Sequence, residues 1–253
     1  MKKTITSLLA FAALALGGNA LAAGGEGVHL DKAPIDPSNA ESIQRGAQTF
    51  VNYCLSCHGA AVMRYNRLQD LGLTEAQIKS NLMFTTEKVG DQMRVAMAAK
   101  DGKVWFGATP PDLSLIARSR GADWLYTYLR TFYRDDTRPT GWNNLVFDKV
   151  GMPHVLWELQ GEQVLEVKGE GPHAEKTLKL VKPGLLTRGG ENGQFDNHEY
   201  DTRVADLVNY LSYMAEPAQV KREQIGYGVL LFLILFLIPV SYLLKKEYWR
   251  DVH

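Results

Sequence analysis

The longest apolar run of this chain lies near the C-terminus and differs in pattern from everything before it. The stretch IGYGVLLFLILFLIPVSYLL, residues 225–244, contains no charged side chain. About twenty helical residues, each rising ~1.5 Å, cross a hydrocarbon core of roughly 30 Å. Basic residues flank the run on both sides, and aromatic residues lie near both of its ends. The pattern predicts a transmembrane helix within residues 221–246, kinked at Pro239.

A second, shorter apolar run begins close to the N-terminus. It follows the positively charged start MKK, and the small-x-small tripeptide ALA ends at residue 22. This order is typical of a secretory signal peptide. The chain is therefore predicted to comprise a cleaved leader (residues 1–22), an exocytoplasmic domain (23–220), the membrane anchor (221–246) and a short cytoplasmic tail (247–253).

Between these two runs, apolar residues recur mainly at helical spacing. The segments SIQRGAQTFVNYCLSCH, TEAQIKSNL, ADWLYTYLRTFY and TRVADLVNYLSYM are each expected to form a helix. Ser38 or Ser42 is expected to cap the first, and Thr74 with Gln77 has capping-box spacing at the second. Residues 163–183 instead alternate apolar and polar side chains, which predicts a β-hairpin. The fold class is thus mainly α with a small β-hairpin insertion.

Charge and cysteine content then narrow the class of protein. The 28 basic and 28 acidic residues give zero formal net charge, which does not indicate a nucleic-acid partner. The chain has only two cysteines, Cys54 and Cys57, so its exported domain is not a disulfide scaffold.

Both cysteines lie in NYCLSCHG, where His58 directly follows the second. A redox dithiol has no need of this histidine. A zinc site requires further ligands, and Cys57 and His58 are adjacent, which makes two tetrahedral corners difficult to occupy. The favoured interpretation is covalent haem attachment, with two thioethers to the porphyrin and His58 on the iron. Attachment of c-type haem outside the cytoplasm agrees with the predicted leader.

The second axial ligand of such an iron would decide its chemistry, because an open site binds small molecules whereas a filled site only exchanges electrons. Methionine is the usual partner of histidine in c-type electron carriers. The candidates after the motif are Met63, Met83, Met93, Met97, Met152 and Met214.

Met152 is the preferred candidate because it lies between Gly151 and Pro153, where a loop is expected. Met93 and Met97 are four residues apart and are interpreted as one buried face of a helix. Met214 belongs to the apolar stripe of the last helix before the anchor, and Met63 is too near the attachment turn. His154 is the rival ligand, although a position at the surface or at the propionate edge is expected for it.

Several ordered blocks of the sequence resemble the cytochrome c1 family, the haem subunit of the bacterial quinol–cytochrome c oxidoreductase, or bc1 complex. The blocks are RGAQTFVNYCLSCHG, MRYNRL, PPDLSLIARSRG, GMPHVLWELQG and MAEP before the anchor. The resemblance runs from about residue 44 to the C-terminus. Two departures are the histidine after Pro153, where many members have another proline, and the hairpin at 163–183.

The resemblance implies a set of site residues. It assigns one covalently bound haem c to thioether bonds from Cys54 and Cys57, with His58 as proximal and Met152 as distal iron ligand. It further implies that Pro110 and Pro111 border the pocket and that Arg120, rather than Arg118, lies near a haem propionate.

The resemblance also implies a fold and a function. The fold would be that of class I cytochrome c, in which Gly46 and Phe50 of the first helix meet Leu207, Tyr210 or Leu211 of the last. The chain would accept an electron from the Rieske iron–sulfur protein and pass it to a cytochrome c, without substrate chemistry of its own.

Its partners would be cytochrome b and the Rieske protein in a dimeric complex of the bacterial inner membrane, with the haem domain in the periplasm. Two alternatives are a membrane-anchored cytochrome that serves a terminal oxidase, and an enzyme or sensor with an open haem. The acidic stretch ENGQFDNHEYD, residues 191–201, is interpreted as a solvated loop rather than a steering site for a basic cytochrome.

Overall fold

The computed structural model describes residues 28–250, except residue 96 and the segments 170–174 and 190–194. The predicted signal peptide, residues 1–22, and the last three residues of the predicted tail lie outside the described residues. The chain between them is mostly helical, as the sequence predicts, and has two-stranded sheets in addition to the single predicted hairpin.

The α-helices of the described chain are, in order, α1 (Ala40–Tyr53), α2 (Glu75–Leu82), α3 (Ala99–Phe106), α4 (Ile116–Arg120), α5 (Ala122–Arg130), α6 (Trp157–Gln160), α7 (His198–Ala215), α8 (Gln219–Phe232) and α9 (Ile238–Tyr248). A 3₁₀ helix spans Tyr65–Leu71, and a π-helical turn spans Leu233–Leu237. The β-strands are β1 (Ala60–Arg64), β2 (Gln92–Met93), β3 (Phe132–Arg134), β4 (Trp142–Asn144), β5 (Gly161–Lys168), β6 (Glu175–Pro183), β7 (Arg188–Gly189) and β8 (Phe195–Asp196).

The strands pair antiparallel as β1 with β2, β3 with β4, β5 with β6, and β7 with β8. The predicted hairpin is confirmed as β5 and β6, with Leu165 opposite Leu178. It is joined to the helical domain by Gln163, whose side-chain amide donates to the carbonyls of Arg130 and Phe132 at 3.0 and 2.9 Å.

The helix caps follow the sequence at one helix and depart from it at another. The capping box at α2 is confirmed, since Thr74 accepts from the Gln77 backbone and the Gln77 side chain accepts from the Thr74 backbone. The predicted serine cap of α1 is wrong. Asn39 caps this helix by accepting from the Ser42 N–H at 3.0 Å, because its amide oxygen stands one position before the first helical residue.

The first and last helices of the domain, α1 and α7, cross at a glycine, as the resemblance to cytochrome c implies. A Cβ added to Gly46 would lie 2.0 Å from the Asp206 carbonyl oxygen and 2.7 Å from the Tyr210 Cβ. The Phe50 and Tyr210 rings pack with centroids 5.5 Å apart. Arg45 forms an ion pair with buried Asp206 at 2.6 Å. Only a residue without a side chain lets the two backbones approach this closely.

Two local predictions are wrong. Met93 and Met97 do not share a helix face: Met93 is on the short strand β2, and no helix covers either residue. The stretch 191–201 is not a loop throughout, because β8 pairs with β7 and α7 begins at His198. Met93 takes a strand conformation because it pairs with distant β1, whereas β8 pairs locally with β7.

The C-terminal helical segment runs from Gln219 to Tyr248, is long and apolar enough to cross a membrane, and is not buried within the chain. The π-helical turn, Leu233–Leu237, directly precedes α9, which has Pro239 in its first turn. A proline lacks the N–H that would bond the carbonyl four residues earlier. The irregular turn thus falls where the sequence predicts a kink.

Candidate functional site

A cavity of about 320 Å³ opens in the helical domain beside the end of α1. Its walls are mainly apolar and include side chains from α5 and α7. All the residues predicted to form a cofactor site line it: Cys54, Cys57, His58, Pro110, Pro111, Arg120 and Met152. Sequence blocks separated by about a hundred residues therefore meet at one place.

The CxxCH motif forms a tight turn at the end of α1. The N–H groups of Cys57 and His58 both donate to the Cys54 carbonyl, at 3.0 and 2.8 Å. This turn places Cys54, Cys57 and His58 on the cavity wall. Neither cysteine forms a disulfide within the described chain, and burial raises the pKa of the Cys54 thiol to about 12. A thiol that stays protonated at neutral pH does not suit a redox dithiol, whose nucleophile is a thiolate.

The zinc alternative gains no support from the described residues. Within residues 28–250 and outside the gaps given above, no group of three or more His, Cys, Asp or Glu side chains is arranged to hold a metal ion. Structural zinc sites ordinarily have four such ligands.

The two ring nitrogens of His58 have different environments. Nδ1 lies 2.8 Å from the Pro111 carbonyl oxygen, which can only accept a hydrogen bond. Nδ1 therefore carries the proton, and burial lowers the pKa of the ring, which keeps it neutral. Nε2 then carries no proton, so its lone pair is available to bind a metal in the cavity. A backbone carbonyl bound to the second nitrogen is the usual arrangement behind a metal-ligating histidine, so the residues present fit the iron of a c-type haem.

The segment PPDLS clamps the loop that follows the motif. The Leu113 N–H donates to the Gly59 carbonyl at 2.8 Å, and Asp112 accepts from the Ala61 N–H at 2.8 Å. The Ser114 hydroxyl accepts from the Val62 N–H at 3.0 Å. Burial alone would raise the pKa of Asp112, but hydrogen bonds from Ser114 and Ala61 hold it below its usual value. This clamp fixes the backbone on which His58 stands.

Met152 lies on the loop between β4 and α6, with its sulfur near the cavity. The Tyr128 hydroxyl donates to its Sδ at 3.3 Å. A Cβ on neighbouring Gly151 would lie 2.7 Å from the Phe106 carbonyl oxygen, so the loop packs directly against the end of α3. Of the six candidate methionines, each of which is described, Met152 alone lines this cavity. Met63, Met93 and Met214 are buried in the core instead.

The expectation for His154 is wrong. Its side chain is neither at the surface nor at the cavity, because it is only 2% exposed and is absent from the lining. The ring stacks on Phe132 and meets Trp142 edge-on, at centroid distances of 4.9 and 5.0 Å. Burial lowers the pKa of His154 to about 3, so the ring is neutral. Its position in an aromatic layer, away from the cavity, removes it as a rival ligand.

The structure distinguishes between the two candidate arginines. Arg120 lines the cavity, and its guanidinium lies 5.1 Å above the centre of the Trp124 ring. Arg118 does not line the cavity. Arg120 forms no ion pair with any described residue, so its charge is available to an anionic group in the cavity.

Sequence reasoning missed the aromatic wall of the site. Trp124 and Tyr128 of α5 both line the cavity, and their rings stack at 4.8 Å. Their spacing of four residues in ADWLYTYLRTFY was the available signal, because side chains four apart share a helix face.

Comparison with known proteins gives one consistent family. The Cytochrome C1 family matches residues 31–252. The "Ammonia monooxygenase gamma subunit" of Nitrosomonas europaea is 55% identical over 229 residues, which cover 90% of this chain and 91% of that protein. Cytochrome c1 of Allochromatium vinosum is 52% identical over 243 residues, covering 95% and 96%. Cytochrome c1 of Rhodospirillum rubrum is 30% identical over 277 residues, covering 94% of each chain.

The fold, the cavity and these likenesses together define an electron-carrying haem protein with a C-terminal membrane helix. The chain belongs to the cytochrome c1 family.

Proposed function

We propose that this chain is the cytochrome c subunit of a respiratory bc1 complex, which accepts one electron from a Rieske iron–sulfur protein and passes it to a cytochrome c. The observation that carries the proposal is the common cavity of the two cysteines, the bare Nε2 of His58 and the Met152 sulfur. The cytochrome c1 relatives that align along nearly their whole length support the same assignment.

The proposed site uses the residues that line the cavity. Cys54 and Cys57 would hold one haem c by two thioether bonds, and Nε2 of His58 and Sδ of Met152 would bind its iron. When bound, the haem supplies one reversible electron between its ferric and ferrous states. The chain's own residues would supply both iron ligands, so that no open iron position would remain for substrate chemistry.

Three further residues have proposed roles at the edge of the group. Arg120 would pair with a propionate, since a guanidinium neutralises a partly buried carboxylate and raises electron affinity. Pro110 and Pro111 would border the haem pocket. The Pro111 carbonyl also holds the proton of His58 at Nδ1.

The proposed topology follows from the two ends of the chain. Residues 1–22 would be a cleaved leader, residues 23–220 the periplasmic haem domain, 221–246 the inner-membrane anchor, and 247–253 a cytoplasmic tail. The anchor would hold the haem domain beside cytochrome b and within reach of the mobile Rieske domain. A dimeric complex and contact with membrane lipid are part of this proposal.

The name of the Nitrosomonas relative raises a second candidate, a subunit of an ammonia monooxygenase. Delivery of electrons to a terminal oxidase is a third. Affinity purification of the tagged chain from native membranes, with identification of the bound subunits, separates these functions. Cytochrome b and a Rieske protein are expected; recovery of a monooxygenase or a copper–haem oxidase in their place would overturn the bc1 assignment.

The axial ligand can be tested by a matched pair of substitutions. Met152→Ala should open the sixth iron position, so that the reduced protein binds carbon monoxide and the midpoint potential falls. Met97→Ala is the control, because Met97 is a partly buried methionine that does not line the cavity. Absorption spectra with and without carbon monoxide give the readout. A Met152→Ala protein with the unaltered spectrum and potential would exclude Met152 as a ligand.

A further inference from the structure

A continuous stack of aromatic rings and guanidinium groups leads away from the cavity. Its members, in order of contact, are Arg120, Trp124, Tyr128, Phe132, His154, Trp142 and Arg134. Trp124 and Tyr128 line the cavity, whereas Phe132, His154 and Trp142 lie behind it. The stack therefore connects the wall of the site with β3 and β4.

His154 is the one member of this stack that belongs to the loop of Met152. Its ring is parallel to that of Phe132, with an interplanar angle of 3°, and nearly perpendicular to that of Trp142, at 80°. Its Nε2 is buried without a hydrogen-bond partner among the described residues. The ring contacts with Phe132 and Trp142 therefore help to hold this side chain in place.

The Phe132 ring joins the two groups that control the position of the Met152 sulfur. On one side it meets the Tyr128 ring edge-on at 5.0 Å, and the Tyr128 hydroxyl donates to Met152 Sδ at 3.3 Å. On the other side it stacks on His154 at 4.9 Å. Because only Pro153 separates Met152 from His154, the contacts form a closed circuit around the loop.

The backbone on either side of Met152 and Pro153 is fixed as well. Gly151 packs against the Phe106 carbonyl, where a Cβ would come within 2.7 Å. The His154 carbonyl accepts from the Trp157 N–H at 3.3 Å, at the start of α6. The remaining freedom of the Met152 side chain is therefore limited by the stacked ring of His154 and by Tyr128.

We propose that His154 is a positioning residue for Met152: its ring, held between Phe132 and Trp142, keeps the loop at the depth that aims the sulfur into the cavity. The proposal rests on the proposed ligation by Met152. It concerns the position at which this chain departs from the two prolines found in many cytochromes c1.

The test uses full-length haem-loaded protein and two readouts, carbon monoxide binding by the reduced form and the midpoint potential. His154→Ala removes the ring, so the reduced protein should bind carbon monoxide and the midpoint potential should fall. His154→Phe keeps a planar ring and should retain the spectrum of the unsubstituted protein. If His154→Ala does not accumulate, His154→Leu fills similar volume without a flat ring, and the result expected for alanine applies to it.

Leu159→Ala is the matched control for a purely structural effect. Leu159 is a buried residue close to the same loop and does not line the cavity. Its truncation should lower the denaturation midpoint yet leave carbon monoxide excluded. Equal carbon monoxide binding by Leu159→Ala and His154→Ala would overturn the positioning role, as would equal binding by His154→Phe.

Met152→Ala, measured in parallel, distinguishes the positioning role of His154 from ligation by Met152. If it binds carbon monoxide and His154→Ala does not, the positioning role is wrong and the ligation stands. If Met152→Ala itself excludes carbon monoxide, the ligation is wrong and the positioning role falls with it.

Discussion

The hydroxyl of Tyr128 is the one protein group in the described chain that donates a hydrogen bond to the sulfur of Met152. Burial raises the pKa of this tyrosine, so the hydroxyl keeps its proton throughout the physiological range. A donor at a thioether withdraws electron density from the sulfur, and groups bonded to a metal's ligands tune the metal in this way. If Met152 binds the iron as proposed, Tyr128 would act on the iron through this ligand.

Tyr128→Phe is expected to lower the midpoint potential of the haem, because a more electron-rich sulfur favours ferric iron. The shift should not exceed about 40 mV, the one-electron equivalent of a hydrogen bond of ~1 kcal/mol. Redox titration of the purified protein measures it. Tyr133→Phe is the control, since Tyr133 is a buried tyrosine that does not line the cavity. A raised potential in Tyr128→Phe would contradict the argument.

At the residue scale, local spacing predicted the groups of the cavity but not their supports. The CxxCH spacing and the Gly151–Pro153 frame of Met152 are each visible within a few residues of sequence. The aromatic site of His154 is not, because Phe132 and Trp142 come from two strands that pair only in the folded chain. From the sequence alone, a position at the surface or at the propionate edge is therefore expected for this histidine.

At the scale of elements, the crossing of α1 and α7 depends on Gly46. The methyl group of Gly46→Ala would collide with the backbone of Asp206 and the side chain of Tyr210, and would push α7 away from α1. Overpacking of this kind costs on the order of 1–3 kcal/mol, so the denaturation midpoint should fall. Gly90→Ala is the control, because a Cβ there would meet nothing within 4 Å. Equal midpoints for the two variants would show that the helices separate without cost.

A tyrosine on α7, the last helix of the domain, is expected to make the stability of the protein depend on pH in the alkaline range. Burial raises the pKa of Tyr213 to about 12, and its hydroxyl donates to the Arg67 carbonyl at 3.0 Å. The folded-state pKa lies above the ordinary value of 10.0, so the unfolded chain loses this proton first. The associated stability is present below pH 10 and is lost as the pH rises towards 12.

Tyr213→Phe should therefore be less stable than the unsubstituted protein at neutral pH, where it lacks the hydrogen bond, but should lose stability less steeply above pH 10. Denaturant titrations at a series of pH values give both slopes. Parallel slopes for the two proteins would show that Tyr213 ionises equally in the folded and unfolded states.

Elements with strong periodicity or clear capping followed the sequence, and very short ones did not. The capping box of α2 and the alternation of β5 and β6 are local signals that the structure retains. Strand β2 is two residues long and exists because it pairs with β1. Its Met93 therefore resembled a helix residue only because Met97 follows four positions later.

At the scale of the whole molecule, the haem domain has a buried core, whereas the C-terminal helix is exposed. The apolar part of the helical segment at residues 219–248 is not buried by the rest of the described chain. A variant that ends at residue 220 is therefore expected to leave the membrane fraction and to keep the haem spectrum of the full chain. Fractionation followed by absorption spectroscopy checks this. A truncated protein that stays in the membrane would show that another segment anchors it.

In the proposed holoprotein, the two thiols of the cavity carry one haem. The most direct measurement is the intact mass of the mature chain, combined with titration of its free thiols under denaturing conditions. The mature chain should exceed the mass of the polypeptide from residue 23 by one haem, with neither Cys54 nor Cys57 available to a thiol reagent. A mass equal to the polypeptide alone, with both thiols reactive, would contradict it.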